Sequence, residues 1–147
     1  MQVDLKLEIE PERGLAGIQF GMTPDEVRQV LGSTAQTFRK SPSDALETDY
    51  FDALGIQVFY KQPGICEAIE LAAPAKPTFK GKDLLGKPFS ELRDWFQLID
   101  RDVAIDETGL TSHRFGVGLY APFAATVPDE PIESVIVFEQ GYYDSQG

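Results

Sequence analysis

The sequence predicts an α+β fold: two tandem helix–strand–strand repeats whose strands form an antiparallel sheet with the helices on one face. Three observations carry that expectation. Phe20-Gly-Met-Thr-Pro-Asp-Glu-Val-Arg28 recurs as Leu85-Gly-Lys-Pro-Phe-Ser-Glu-Leu-Arg93, with Gly21/Gly86, Glu26/Glu91, Val27/Leu92 and Arg28/Arg93 all at an offset of 65. Leu54-Gly-Ile-Gln-Val-Phe59 recurs as Phe115-Gly-Val-Gly-Leu-Tyr120, and Cys66–Leu71 as Ile132–Val137. The matched stretches keep one order, and strand-period alternation separates the helical ones.

The first element expected is a strand over residues 2–10, where Val3, Leu5, Leu7 and Ile9 alternate with charged residues until Pro11 and Gly14. A short helix follows. Thr23 is a good N-cap, Pro24 suits the first helical position, and Glu26 completes a capping box. Val27, Val30 and Leu31 form its apolar stripe and Gly32 ends it. Residues 33–52 read as a polar stretch. Leu54–Tyr60 reads as a strand, Gln62-Pro-Gly64 as a turn, and Cys66–Leu71 as the returning strand. Ala72–Lys80, with Pro74 and Pro77, reads as the connector between halves. A second helix carries Leu92, Trp95, Phe96 and Ile99, and strands Phe115–Tyr120 and Ile132–Val137 complete the second unit. The pseudo-repeats span 14–71 and 81–138 within a single domain over residues 1–147, because each copy has too little apolar surface to stand alone.

Charge narrows the function. With 24 acidic and 13 basic side chains, the net charge is −11. Such a balance opposes nucleic acid and anionic lipid and favours a basic protein partner. No apolar run approaches the ~20 residues of a membrane span, and the N-terminal stretch lacks the basic and apolar regions of a signal peptide. The expected location is cytoplasmic.

Catalytic groups are few. His113 is the single histidine, and adjacent Ser112 would point away from it on a strand. Cys66 lies among apolar neighbours, which raise a thiol's pKa rather than activate it. One His and one Cys do not build a zinc site. Asp100–Glu107 lacks the glycine and terminal glutamate of an EF-hand and reads as a solvated loop. The expectation is a protein that is not an enzyme and uses no cofactor or metal. Strand alternation sets Phe59 and Tyr120 opposite the helix-covered face. There they are either part of a protein-binding surface or second-layer core residues under long loops. Asp49, Asp52 and Glu70, at strand ends, and Tyr142, Tyr143 and Asp144, after the last strand, are the other candidate partner-binding residues.

The stretch Gly17-Ile-Gln-Phe-Gly-Met-Thr-Pro-Asp-Glu-Val-Arg-Gln-Val-Leu-Gly32 resembles the entry helix of a broad bacterial superfamily. That superfamily includes small outer-membrane assembly lipoproteins and the β-lactamase inhibitory protein, a tandem duplication. Unlike the lipoproteins, this sequence shows no signal and no lipid-accepting N-terminal cysteine. The longer pattern is similar to cytoplasmic immunity proteins that accompany bacterial polymorphic toxins. It runs from Phe38-Arg-Lys-Ser-Pro42 through Asp49-Tyr-Phe-Asp52 and Gly55–Tyr60 to Gly141-Tyr-Tyr-Asp144. The resemblance implies an inhibitor that occludes the active site of a basic cognate toxin. The alternative is a small-ligand-binding or assembly domain.

Overall fold

A computed structural model describes residues 7–15, 17–32, 35–38 and 46–142. The fold is α+β, with two α-helices and a mainly antiparallel strand set among the described residues. Strands β1 (Ile9–Glu10) and β2 (Gly14–Leu15) form a small hairpin outside the main sheet. The expected strand over 2–10 is thus seen only at its end, since residues 2–6 lie outside the described residues. Helix α1 spans Pro24–Leu31 and has the capping box its sequence encodes. The Thr23 hydroxyl accepts from the Glu26 N–H, and the Glu26 carboxylate accepts from the Thr23 N–H. Gly32 closes the helix in the left-handed conformation.

Four strands follow α1: β3 (Gln36–Phe38), β4 (Thr48–Phe51), β5 (Ile56–Lys61) and β6 (Ile65–Ala72). The short hairpin β7 (Thr78–Phe79) and β8 (Lys82–Asp83) leads into helix α2, Phe89–Ile99. Four more strands follow: β9 (Ala104–Asp106), β10 (Gly109–Ser112), β11 (Val117–Tyr120) and β12 (Ser134–Phe138). The main sheet has eight strands in the order β3-β4-β5-β6-β12-β11-β10-β9, every pairing antiparallel. Each helix therefore precedes four sheet strands, not the two expected. The missing ones are short and polar. Gln36–Phe38 and Ala104–Asp106 are exposed edge strands, and the latter falls inside the run expected to be a loop.

Ile56, Val58, Ile69, Leu71, Val117, Leu119, Val135 and Val137 point to one face. They form one core with Val27 and Leu31 of α1 and Phe89, Leu92 and Phe96 of α2. A bulge where Phe59–Tyr60 meets β6 brings Tyr60 and Cys66 into this core, while Ala68 faces the opposite way. The β7–β8 hairpin adds Phe79, whose ring lies 5.9 Å from Phe96, 5.8 Å from Trp95 and 5.3 Å from Phe115. Offset and edge-on aromatic packing of this kind adds to the burial gain. The expected connector is thus partly core.

Two hydrogen-bond patterns occur in both halves. Met22 O accepts from Cys66 N–H in β6, and Lys87 O accepts from Ile132 N–H just before β12, each fastening a helix entry to the chain near the last strand of its half. Gly55 O accepts from Ala72 N–H and Gly116 O from Phe138 N–H. Both glycines have positive φ, 70° and 69°, and a Cβ would lie 2.1 Å from Ala72 O or 2.4 Å from Phe138 O. Only glycine fits either position.

Candidate functional site

The sheet face turned away from the helices has two parts. Near its centre Phe59, Ala68 and Phe138 make a second apolar cluster, capped by Tyr142. The Tyr142 ring stacks on Phe138 with centroids 6.0 Å apart, and His113 meets Phe138 edge-on at 6.0 Å. Burying Phe59 to 6% exposure makes it a second-layer core residue.

Towards β9 the face is open. Strands β10, β11 and β12, with the adjoining part of β6, form a trough of ≈ 290 Å³ lined by Glu70, Asp106, Thr108, Thr111, Gly118, Tyr120, Ser134 and Ile136, among others. Gly118 stands opposite Ile136 on β12 and Thr111 on β10, and its lack of a side chain lets Ile136 lie low over the sheet. A Cβ there would come within 2.8 Å of Ile136 Cγ2. Tyr120, two residues on and on the same face, is 46% exposed and forms a wall. Two carboxylates border the hollow. The Asp106 Oδ1 accepts from the Thr108 backbone N–H at 2.8 Å and from its hydroxyl at 3.1 Å, an Asx turn that holds the β9–β10 corner. Glu70 stands beside Ile136 across the β6–β12 pairing.

Among the expected partner-binding residues, Tyr120 and Glu70 share this trough. Asp52 is exposed elsewhere, accepting a 2.9 Å hydrogen bond from the Tyr50 hydroxyl, which raises the Tyr50 pKa. Asp49 is not at a surface. It faces α1, 1% exposed, and accepts from Arg28 Nε at 3.0 Å, Arg28 Nη2 at 2.6 Å and the Tyr60 hydroxyl at 2.8 Å. This corrects its placement at the interface, because a carboxylate in strand alternation with Phe51 must share the core side and needs these donors. Its hydrogen bond and charge raise the Arg28 pKa. Burial, then Asp49, raises that of Tyr60. Tyr142 is buried at 4% and acts as a lid on the second cluster rather than as an exposed contact. Tyr143 and Asp144 lie outside the described residues.

Sequence reasoning missed Asp106 and Gly118. The signal was present in Val117-Gly-Leu-Tyr120, where alternation puts Gly118 on the same face as Tyr120. The remaining chemistry-bearing groups are committed elsewhere. The Ser112 hydroxyl, fully buried, donates to Asp100 Oδ2 at 2.7 Å and accepts from the Phe115 N–H, so it faces the core while His113 packs on Phe138. Burial pushes the Cys66 thiol up to about 12, as its apolar neighbours predict. No helix among the described residues is long and apolar enough to cross a membrane.

No protein-family model and no curated protein sequence matches the chain. The chain is similar to a solved structure, an uncharacterized Escherichia coli protein, yfeY, with a TM-score of 0.56 and 10% identity over 92% of this chain and 100% of that one. At that identity the likeness concerns the arrangement of helices and strands alone.

Proposed function

We propose that this chain is an acidic protein-binding module, a cytoplasmic immunity-type inhibitor that neutralises a basic bacterial toxin by laying the open part of its sheet over the toxin's active site. The trough beside Tyr120 carries the reading: a half-exposed aromatic wall, a glycine and bordering carboxylates on the sheet face turned away from α1 and α2. Aromatic anchors of this kind supply most of the affinity at protein interfaces, while surrounding charges steer the encounter. The net charge of −11 supports a basic partner. The trough is at the small end of ligand pockets, which span roughly 300–1,000 Å³, and so suits a partner's side chain better than a cofactor-sized molecule.

In this reading the chain is also a tandem duplication of units 14–71 and 81–138. Support comes from the constant offset of 65 between the helix-entry residues and from the paired backbone bonds at Met22 and Lys87 and at Gly55 and Gly116.

The test is kinetic binding to the product of the gene adjacent to its own, across a salt series. Charge reversal at Glu70 or Asp106 is expected to slow association and weaken its salt dependence, and Tyr120→Ala to speed dissociation. A salt-independent association rate, or kinetics unchanged in all three variants, overturns the placement of the interface.

A further inference from the structure

The trough has an unbalanced charge. Glu70 and Asp106 line it, and none of its lining residues is basic. Glu70 makes no hydrogen bond or ion pair with a described residue, and Asp106 engages Thr108 through Oδ1 alone, leaving Oδ2 unengaged. The hydroxyls of Thr111 and Ser134 add neutral acceptors on the same surface. A volume of ≈ 290 Å³ holds one long side chain, and the wall it would lie against is the Tyr120 ring.

Resting on the protein-binding reading above, we infer that the trough receives an arginine side chain of the partner. Its guanidinium lies against Tyr120 and pairs with the Glu70 carboxylate. Arginine fits better than lysine for a physical reason. Its planar cation stacks on an aromatic face while its forked N–H groups meet a carboxylate in the same plane, whereas an ammonium is a compact, strongly hydrated point charge.

The experiment is a titration of the ¹⁵N-labelled full chain with N-acetyl-arginine methylamide, followed by amide shifts, with the citrulline and lysine counterparts as controls. Citrulline keeps arginine's shape and loses its charge. Saturable shifts are expected at Gly118, Tyr120 and Ser134, with citrulline about tenfold weaker and lysine also weaker. Glu70→Gln and Tyr120→Leu are each expected to weaken arginine about five- to tenfold, with the spectrum otherwise unchanged. Added salt should weaken binding further. Gly118→Ala strains the sheet at Ile136, so the two wall variants decide the matter. Equal binding of citrulline, binding of lysine as tight as arginine, shifts confined to another surface, or none at all overturns the inference. If arginine fails while Tyr120→Ala still speeds dissociation of the partner, the binding face stands and only its occupant is wrong. Saturable arginine binding beside partner kinetics untouched by Tyr120→Ala would instead remove the partner reading.

Discussion

Arg28→Met and Asp49→Asn remove the two ends of one ion pair, and the structure predicts unequal losses. Asp49 is 1% exposed beneath α1, whereas the Arg28 side chain is 41% exposed. Removing the guanidinium leaves a buried carboxylate with a single side-chain donor, the Tyr60 hydroxyl. Breaking a fully buried pair costs ~3–5 kcal/mol; partial solvent screening of Arg28 brings the expectation to about 2–3 kcal/mol. Asp49→Asn leaves a neutral amide whose carbonyl oxygen still accepts from the Tyr60 hydroxyl, while Arg28, already 41% exposed, turns to water. The expected loss is about 1 kcal/mol, the difference between a charged and a neutral hydrogen bond. Helix α1 is two turns long and marginal alone, so the pair also anchors it to β4. Urea unfolding by circular dichroism measures both variants at constant m-value. An Asp49→Asn loss equal to or larger than that of Arg28→Met refutes the reasoning, because the burden would then not lie with the stranded carboxylate.

Three further outcomes are expected. Phe59→Ala should cost ~3–5 kcal/mol in the same assay, as a buried aromatic under Tyr142, while Tyr120→Ala stays within about 0.5 kcal/mol. Gly55→Ala and Gly116→Ala should both destabilise by more than 1 kcal/mol, roughly the cost of left-handed backbone alone, since each Cβ also meets a carbonyl oxygen; calorimetry compares the two halves. Burial raises the Cys66 thiol from 9.0 to about 12, and Tyr60 shifts the same way, so the folded chain holds protons that the unfolded chain releases. Their contribution is complete below their unfolded values and is lost as pH rises, for Cys66 from about 9 towards 12. Denaturation midpoints measured through that window should fall, and Cys66→Ala should flatten the fall.

The helices, strands β5, β6, β11 and β12 and the capping of α1 were legible because each has a periodic apolar stripe or a local hydrogen-bonding motif. Strands β3, β4, β9 and β10 of the main sheet were not. Residues such as Gln36, Thr37, Thr48 and Asp49 carry no alternation a reader could detect, and their pairing is imposed by β5. α2 shows a related limit. Pro88 offers no side-chain cap; the Phe89 and Ser90 N–H groups donate instead to Glu130 O and Pro128 O, forty residues on in the chain and invisible as a local motif. The choice of carboxylates by their position at strand ends brought in Glu70, which lines the same trough as Tyr120. It failed at Asp49, whose charge suggested a surface while its strand position demanded the core. Phe59 lay on the face its alternation implied, but only the later packing of Tyr142 decided that it would be buried.

The β6–β12 pairing has a consequence for folding order. Each four-strand meander closes through neighbours near in sequence, but the seam joins Ala68–Ala72 to Ser134–Phe138. Long-range pairings of this kind form late, because loop entropy opposes them until both partners are assembled. Before that moment each half carries a bare, apolar strand edge. Antiparallel edges are self-complementary about a twofold axis, so a half made alone would pair with its own copy rather than stay single. Covalent linkage removes that option by keeping the correct edge always nearby, at an effective concentration no second molecule matches.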